Sequence, residues 1–159
     1  MQHSPMRATY RILAFVIAGL VAFQSMVMVF AIAGLYNWIS EGNSLTESAL
    51  TGDEPPEFTG AIGFMLHGMV GMMLIPLLAL VLLIISFFAK IPGGAKWAGI
   101  VLGLVVLQVF LGIMGHETAW SGMLHGLNAL ILFTVALMAG TRVARSVEPA
   151  ASREAAAVR

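Results

Sequence analysis

Residues 97–140 read WAGIVLGLVVLQVFLGIMGHETAWSGMLHGLNALILFTVALMAG, two long apolar runs joined by His116-Glu117-Thr118-Ala119. A membrane-spanning helix needs about 20 mostly apolar residues, because the hydrocarbon core is about 30 Å thick and an α-helix rises about 1.5 Å per residue. The two runs, about 97–115 and about 120–140, meet that length and contain no Lys, Arg, Asp or Glu. A link this short makes the two helices antiparallel neighbours. Working outward, two more runs qualify, about 12–36 and about 61–88, again without a charged residue. Pro76 lies inside the second span, where a membrane helix tolerates it with a kink. The expected fold is therefore all-α: an integral membrane four-helix bundle in one domain, residues 1–146, followed by a cytoplasmic tail, residues 147–159.

Composition supports this class and excludes others. Of 159 residues, 59% are hydrophobic and 10% are charged, against about 25% charged in ordinary soluble domains. Such a chain is too apolar to be disordered. Eight Lys and Arg balance eight Asp and Glu, which leaves no basic surface for nucleic acid. The chain has no Cys. Disulfides, thiolate zinc sites, iron–sulfur clusters and Cys nucleophiles are excluded.

Residues 37–60 are polar and acidic, contain Pro55-Pro56, and read as a loop. Lys90-Ile91-Pro92-Gly93-Gly94 reads as a turn, since Pro and Gly both interrupt helices. With four spans, Arg7, Arg11, Lys90, Lys96, Arg142, Arg145, Arg153 and Arg159 all fall on one side. The positive-inside rule makes that side cytoplasmic, with both termini inside and the protein in the cell inner membrane. The opposite side carries Glu41, Glu47, Asp53, Glu54, Glu57 and Glu117. Trp38 and Trp120 mark the outer interface and Trp97 the inner one. Ala31-Ile32-Ala33 resembles a signal-peptide cleavage site, but the apolar run before it exceeds the usual length of about 7–15 residues. The first helix is expected to be retained.

The chain repeats itself. Leu20-Val21-Ala22-Phe23-Gln24 in the first span matches Leu104-Val105-Val106-Leu107-Gln108 in the third. Met65-Leu66-His67-Gly68 in the second matches Met123-Leu124-His125-Gly126 in the fourth. Each half reads as a helix bearing Gln, a loop, and a helix with His-Gly near its start. Two-helix repeats are parallel and related by an approximate two-fold axis along the membrane normal. His67 and His125 are then expected at equal depth, roughly 6–10 Å below the outer boundary, facing each other.

An ionisable residue inside a membrane is a functional candidate by default. One neutral His can simply bond two helices together. Two symmetry-matched imidazoles suit a flat metal centre between them, and haem iron takes axial His ligands in bundle cores. Small residues beside them, Gly63 and Gly71 near His67 and Ser121, Gly122 and Ala129 near His125, leave room for a macrocycle, as do Gly68 and Gly126. They equally permit close helix packing. Asn128, one turn from His125, is a candidate for orienting a ligand. His116 is a candidate for the haem edge or for carrying a proton, or else a solvated loop residue. Gln24 and Gln108 are expected to hydrogen-bond between helices. The Met residues are expected to face lipid or fill the core.

Leu107-Gln108-Val109-Phe110-Leu111-Gly112, then a short loop and Met123-Leu124-His125-Gly126-Leu127-Asn128-Ala129, resembles one half of haem A synthase. That family joins two four-helix units in which a Gln-x-x-x-Gly helix is followed by one opening with His. One unit ligates haem b through paired His, and the other holds the haem being oxidised. The resemblance implies that His67 and His125 are an axial pair. The family has Glu three residues before a ligand His and a basic residue just after it. Here those positions hold Phe64 and Gly122 before, and Gly68 and Gly126 after.

The expected function is binding of one haem b near the outer leaflet by His67 and His125, for electron transfer or haem handling. Closed axial positions suit these roles better than oxygen activation. Besides the lipid bilayer, a redox partner protein and a homodimer are possible partners. Two other classes compete. One is a haem-A-synthase-like oxidase acting on haem, with Glu57 as its loop acid. The other is a haem-free structural or accessory subunit.

Overall fold

A computed structural model describes residues 5–51 and 56–147. The tail beyond Val147, His3, Asp53, Glu54 and Pro55 lie outside the described residues. The described residues are helical and form no strand. In chain order they give α1 (Pro5–Ser40), α2 (Glu47–Thr51), α3 (Ile62–Met69), a π-helical turn (Val70–Leu74), α4 (Ile75–Ala89), α5 (Gly94–Met114) and α6 (Ala119–Val147). Four stretches are long and apolar enough to cross a membrane: Pro5–Ser40, Ile62–Ala89, Gly94–Met114 and Ala119–Arg142. Large apolar side chains such as Met26, Val29, Phe87, Phe88 and Leu130 point outward. Lipid tails solvate such a surface as water would not, and the chain is a multi-pass membrane protein.

The helix ends follow local chemistry. Pro5 opens α1, where its missing N–H costs nothing. The helix runs past the expected end near residue 36, so the polar loop expected from residue 37 begins only at Glu41. Gly42 then stops it, with φ +95° and its N–H on the Ile39 carbonyl at 3.0 Å. The Asn43 carboxamide adds a bond to the Trp38 carbonyl at 2.9 Å. Left-handed residues end helices this way because they turn the chain while satisfying the last carbonyls. Within the former loop, Thr46 Oγ1 accepts from the Ala49 N–H at 3.2 Å and caps the short helix α2. Thr118 does the same for α6, accepting from the Ser121 N–H at 3.2 Å.

Pro76 has no N–H for the carbonyl four residues earlier, Met72. The disturbance expected there takes the form of the widened turn Val70–Leu74 immediately before it. Single π turns of this kind relieve the backbone at a helix irregularity.

The chain divides into two compact units. The first comprises residues up to Val21 and from Ile75 onward. In it the start of α1 packs with α4, α5 and α6 as a four-helix bundle. Its core is made of small and branched residues: Ala14, Ile17, Ala79, Leu82, Ala98, Val101, Val105, Leu132 and Ala136. Gly140 admits the Phe15 ring, whose Cε1 lies 2.8 Å from where a Cβ would stand. At one end Arg7 donates to the Ala89 and Lys90 carbonyls, each at 3.2 Å. The Arg142 guanidinium lies 4.4 Å from the Trp97 ring centroid. The buried Tyr10 hydroxyl donates to the Gly94 carbonyl at 3.0 Å.

The second unit, Ala22–Leu74, pairs the rest of α1 with α3 and the π turn. Close backbone approach holds it together. Gly63 abuts the Val27 carbonyl and the Ala31 methyl, and the Thr59 carbonyl occupies the space a side chain at Gly34 would need.

Candidate cofactor-binding histidines

In the first unit, α5 and α6 meet at Gln108 and His125. The His125 Nδ1 lies 2.9 Å from the Gln108 backbone carbonyl oxygen. The Gln108 Nε2 donates in return to the His125 carbonyl at 3.0 Å. Asn128, on the same face as His125, closes the network. Its Nδ2 donates to the Leu104 carbonyl at 3.0 Å and to Gln108 Oε1 at 2.5 Å. One turn after Gln108 comes Gly112, where a Cβ would stand 3.0 Å from His125 Cε1 and 3.2 Å from Nδ1. The Gln-x-x-x-Gly pattern thus has a local meaning: Gln supplies the carbonyl that orients the ring, and Gly makes space for it.

In the second unit the same relation recurs. The His67 Nδ1 on α3 lies 3.3 Å from the Gln24 backbone carbonyl oxygen on α1. A carbonyl oxygen only accepts, so Nδ1 carries the proton in both rings. In a neutral imidazole Nε2 then holds the lone pair, the tautomer of a metal-ligating His whose other nitrogen is fixed by a carbonyl. Both rings are half-buried.

The repeats differ three residues after the His. Asn128 follows His125, but Val70 follows His67. Valine offers no hydrogen bond. Gln24 as a residue is only 7% exposed, and neither the Nε2 nor the Oε1 of its buried carboxamide has a partner. The interhelical bonding expected of both Gln side chains therefore holds for Gln108 and not for Gln24. Gly71, in the π turn, faces that amide: a Cβ there would lie 3.4 Å from Gln24 Oε1.

The other candidates are dispersed. Gly63 is buried in the contact of its helix with α1. Gly122 is exposed, and a Cβ at Gly68, Gly122 or Gly126 would meet nothing within 4 Å. His116 is exposed in the link before α6. Asn128 holds the Gln108 carboxamide. Met65, Met69, Met72 and Met73 are exposed on the apolar surface. Glu57 lines an open groove with Glu41, and His67 is not among the groove's walls. Sequence reasoning missed the two Gln backbone carbonyls; the matched Gln–His spacing was their only trace.

The donor set bears on which group could bind. Among the described residues, no three His, Asp or Glu side chains gather around a metal position. Zinc held by protein alone needs three or four such ligands. Haem needs only axial imidazoles, because its own nitrogens fill the remaining positions. Residues 57–119 match a family described as of unknown function (DUF6220). That stretch covers α3, the π turn, α4 and α5, and so contains His67 and Gln108 but not His125. No curated protein and no solved structure matches the chain.

Proposed function

We propose that this is a membrane-embedded haem b-binding protein with His67 and His125 as axial ligands, serving electron transfer or haem handling. The observation that carries the reading is the matched pair of Nδ1–carbonyl bonds, which put the lone pair on Nε2 in both imidazoles. His67 and His125 would hold the haem, which would supply one-electron redox chemistry when bound. The chain's own part is to fix the tautomer and orient each ring. Gly112 clears space at His125.

We place the protein in the cell inner membrane with both termini cytoplasmic. Arg7, Lys90, Lys96 and Arg142 all lie at the first unit's end where α4 finishes and α5 begins, in keeping with the positive-inside rule. Haem near the outer leaflet would exchange electrons with a partner protein on that side, or with a second copy of the chain.

A haem-free helix-bonding role is the second reading, favoured by the closed Gln108–His125–Asn128 network. An absorption spectrum of detergent-purified protein, oxidised and reduced, separates the two. A low-spin b-type spectrum, lost in His67→Ala and in His125→Ala, is the expected result. A wild type that stays colourless after haem addition leaves only the structural role.

A further inference from the structure

At the C-terminal end of α1, within the second unit, lies an open groove of about 1080 Å³. Phe30, Trp38 and Phe58 line it together with Asn37, Glu41 and Glu57. Its walls are set by backbone packing. The Thr59 carbonyl sits against Gly34, and Gly60 adopts φ +103° with the Phe30 carbonyl 2.7 Å from where a Cβ would stand. The segment after residue 56 is thereby pinned onto α1. Trp38 and Phe58 contact at 6.0 Å between centroids, inclined by 36°. Phe64 meets Phe58 edge-on at 6.3 Å. Aromatic surfaces held this way lose little freedom on binding.

The charge is one-sided. Glu41 and Glu57 are exposed at the groove. No Lys or Arg occurs between Arg11 and Lys90, so the unit Ala22–Leu74 contains none. No basic side chain of its own unit neutralises the two carboxylates. Among the described residues, no third His, Asp or Glu joins the two carboxylates to form a metal-ligand group. Aromatic faces beside carboxylates instead suit a large, weakly hydrated cation, attracted by the ring quadrupole and by the acids together.

We propose that this groove binds an organic ammonium ion carried on an apolar body, either a soluble amphiphile or the head group of a lipid. The apolar body rests on the rings, and the charged head lies toward Glu41 and Glu57.

The test uses full-length protein in detergent carrying Trp97→Phe and Trp120→Phe, which leaves Trp38 as the only Trp. Titration with benzyltrimethylammonium is expected to change Trp38 emission saturably. Its neutral isostere neopentylbenzene is expected to bind at least about tenfold more weakly. The pair Glu41→Gln and Glu57→Gln should weaken the cation by about tenfold, with elution volume and helical content unchanged. Absence of a saturable response, or equal binding of the neutral isostere, overturns the assignment. So does full affinity in a folded double variant. The same titration in nanodiscs distinguishes the sources. Weaker apparent binding in phosphatidylcholine than in an uncharged galactolipid bilayer, which carries neither ammonium nor net surface charge, assigns the site to a lipid head group, and equal binding assigns it to a soluble cation. A colourless protein would leave these results unaffected, because the groove's walls do not include His67.

Discussion

The Nδ1 of His125 lies 2.9 Å from the backbone carbonyl oxygen of Gln108, and the Gln108 side chain returns a bond to the His125 carbonyl at 3.0 Å. The pair locks α5 to α6 and fixes the imidazole tautomer in one step. Helix-to-helix packing and the orientation of the ring therefore come from the same residues. Inside a membrane, interhelical bonds of this kind are worth about 0.6 kcal/mol on average and up to about 1.7. They orient more than they stabilise.

Gly112→Ala tests that orientation directly. A Cβ there would stand 3.0 Å from His125 Cε1, closer than ordinary packing allows. Either the ring moves off the Gln108 carbonyl or the two helices separate. The expected cost is about 1–3 kcal/mol, as for other overpacked sites. If haem is bound, its reduced absorption bands should also shift or weaken. Thermal unfolding in detergent and the spectrum report the two effects separately. An unchanged melting temperature together with an unchanged spectrum would show that His125 does not occupy this notch.

The unpartnered Gln24 amide makes an opposite pair of substitutions informative. Asn128 satisfies Gln108 in one repeat, and Val70 stands at the matching place in the other. Val70→Asn is expected to stabilise the protein by about 1 kcal/mol by giving Gln24 a partner. Asn128→Val should destabilise it by about 1–2 kcal/mol, because it leaves the part-buried Gln108 Oε1 without its donor. Denaturation of the two variants beside wild type checks the signs. Destabilisation by Val70→Asn would mean that the repeats do not superpose at this position.

Much of this was legible before any coordinates. The four apolar runs, the antiparallel link at residues 116–119 and the Gln and His repeat depend only on length and periodicity. Helix ends were less legible. Gly42 and Asn43, not the change to polar residues near Asn37, decide where α1 stops. Pro76 announced a disturbance, but not that a π turn would absorb it. The glycines near the histidines looked alike in sequence and have different roles. Gly63 makes a helix contact, Gly71 faces Gln24, and Gly122 faces open space. Neighbours from other helices decide such roles, and no spacing within one helix encodes them.

That distinction among glycines is itself testable. Gly60 combines φ +103° with the Phe30 carbonyl 2.7 Å from its missing Cβ. Gly60→Ala should therefore cost several kcal/mol, about 1–3 from the backbone conformation alone, and should open the groove beside Phe58. Gly126 is helical, and a Cβ there would meet nothing within 4 Å. Gly126→Ala should stabilise by up to about 1 kcal/mol through helix propensity. Melting curves in one detergent order the three proteins. A Gly126→Ala variant that melts early but binds no haem would reveal a packing partner at that surface, such as a second copy of the chain.

Arg7 supplies the last case, at the end of the first unit where the basic residues gather. Its Nε donates to the Ala89 carbonyl and its terminal nitrogen to the Lys90 carbonyl, both at 3.2 Å. These carbonyls close α4, where the helix dipole is negative and no further turn supplies N–H groups. Lys90 itself is left-handed, with φ +50°, so the chain turns sharply just where Arg7 holds it. Arg7→Ala should lower stability by about 1–2 kcal/mol, through two lost charge-assisted bonds partly replaced by water. Arg7→Lys should recover only part of the loss, because an ammonium cannot reproduce the planar fork that meets two successive carbonyls. Thermal unfolding of the three proteins should rank them wild type, then Lys, then Ala. If Lys restored wild-type stability in full, the fork geometry would be irrelevant and charge near the end of α4 would suffice.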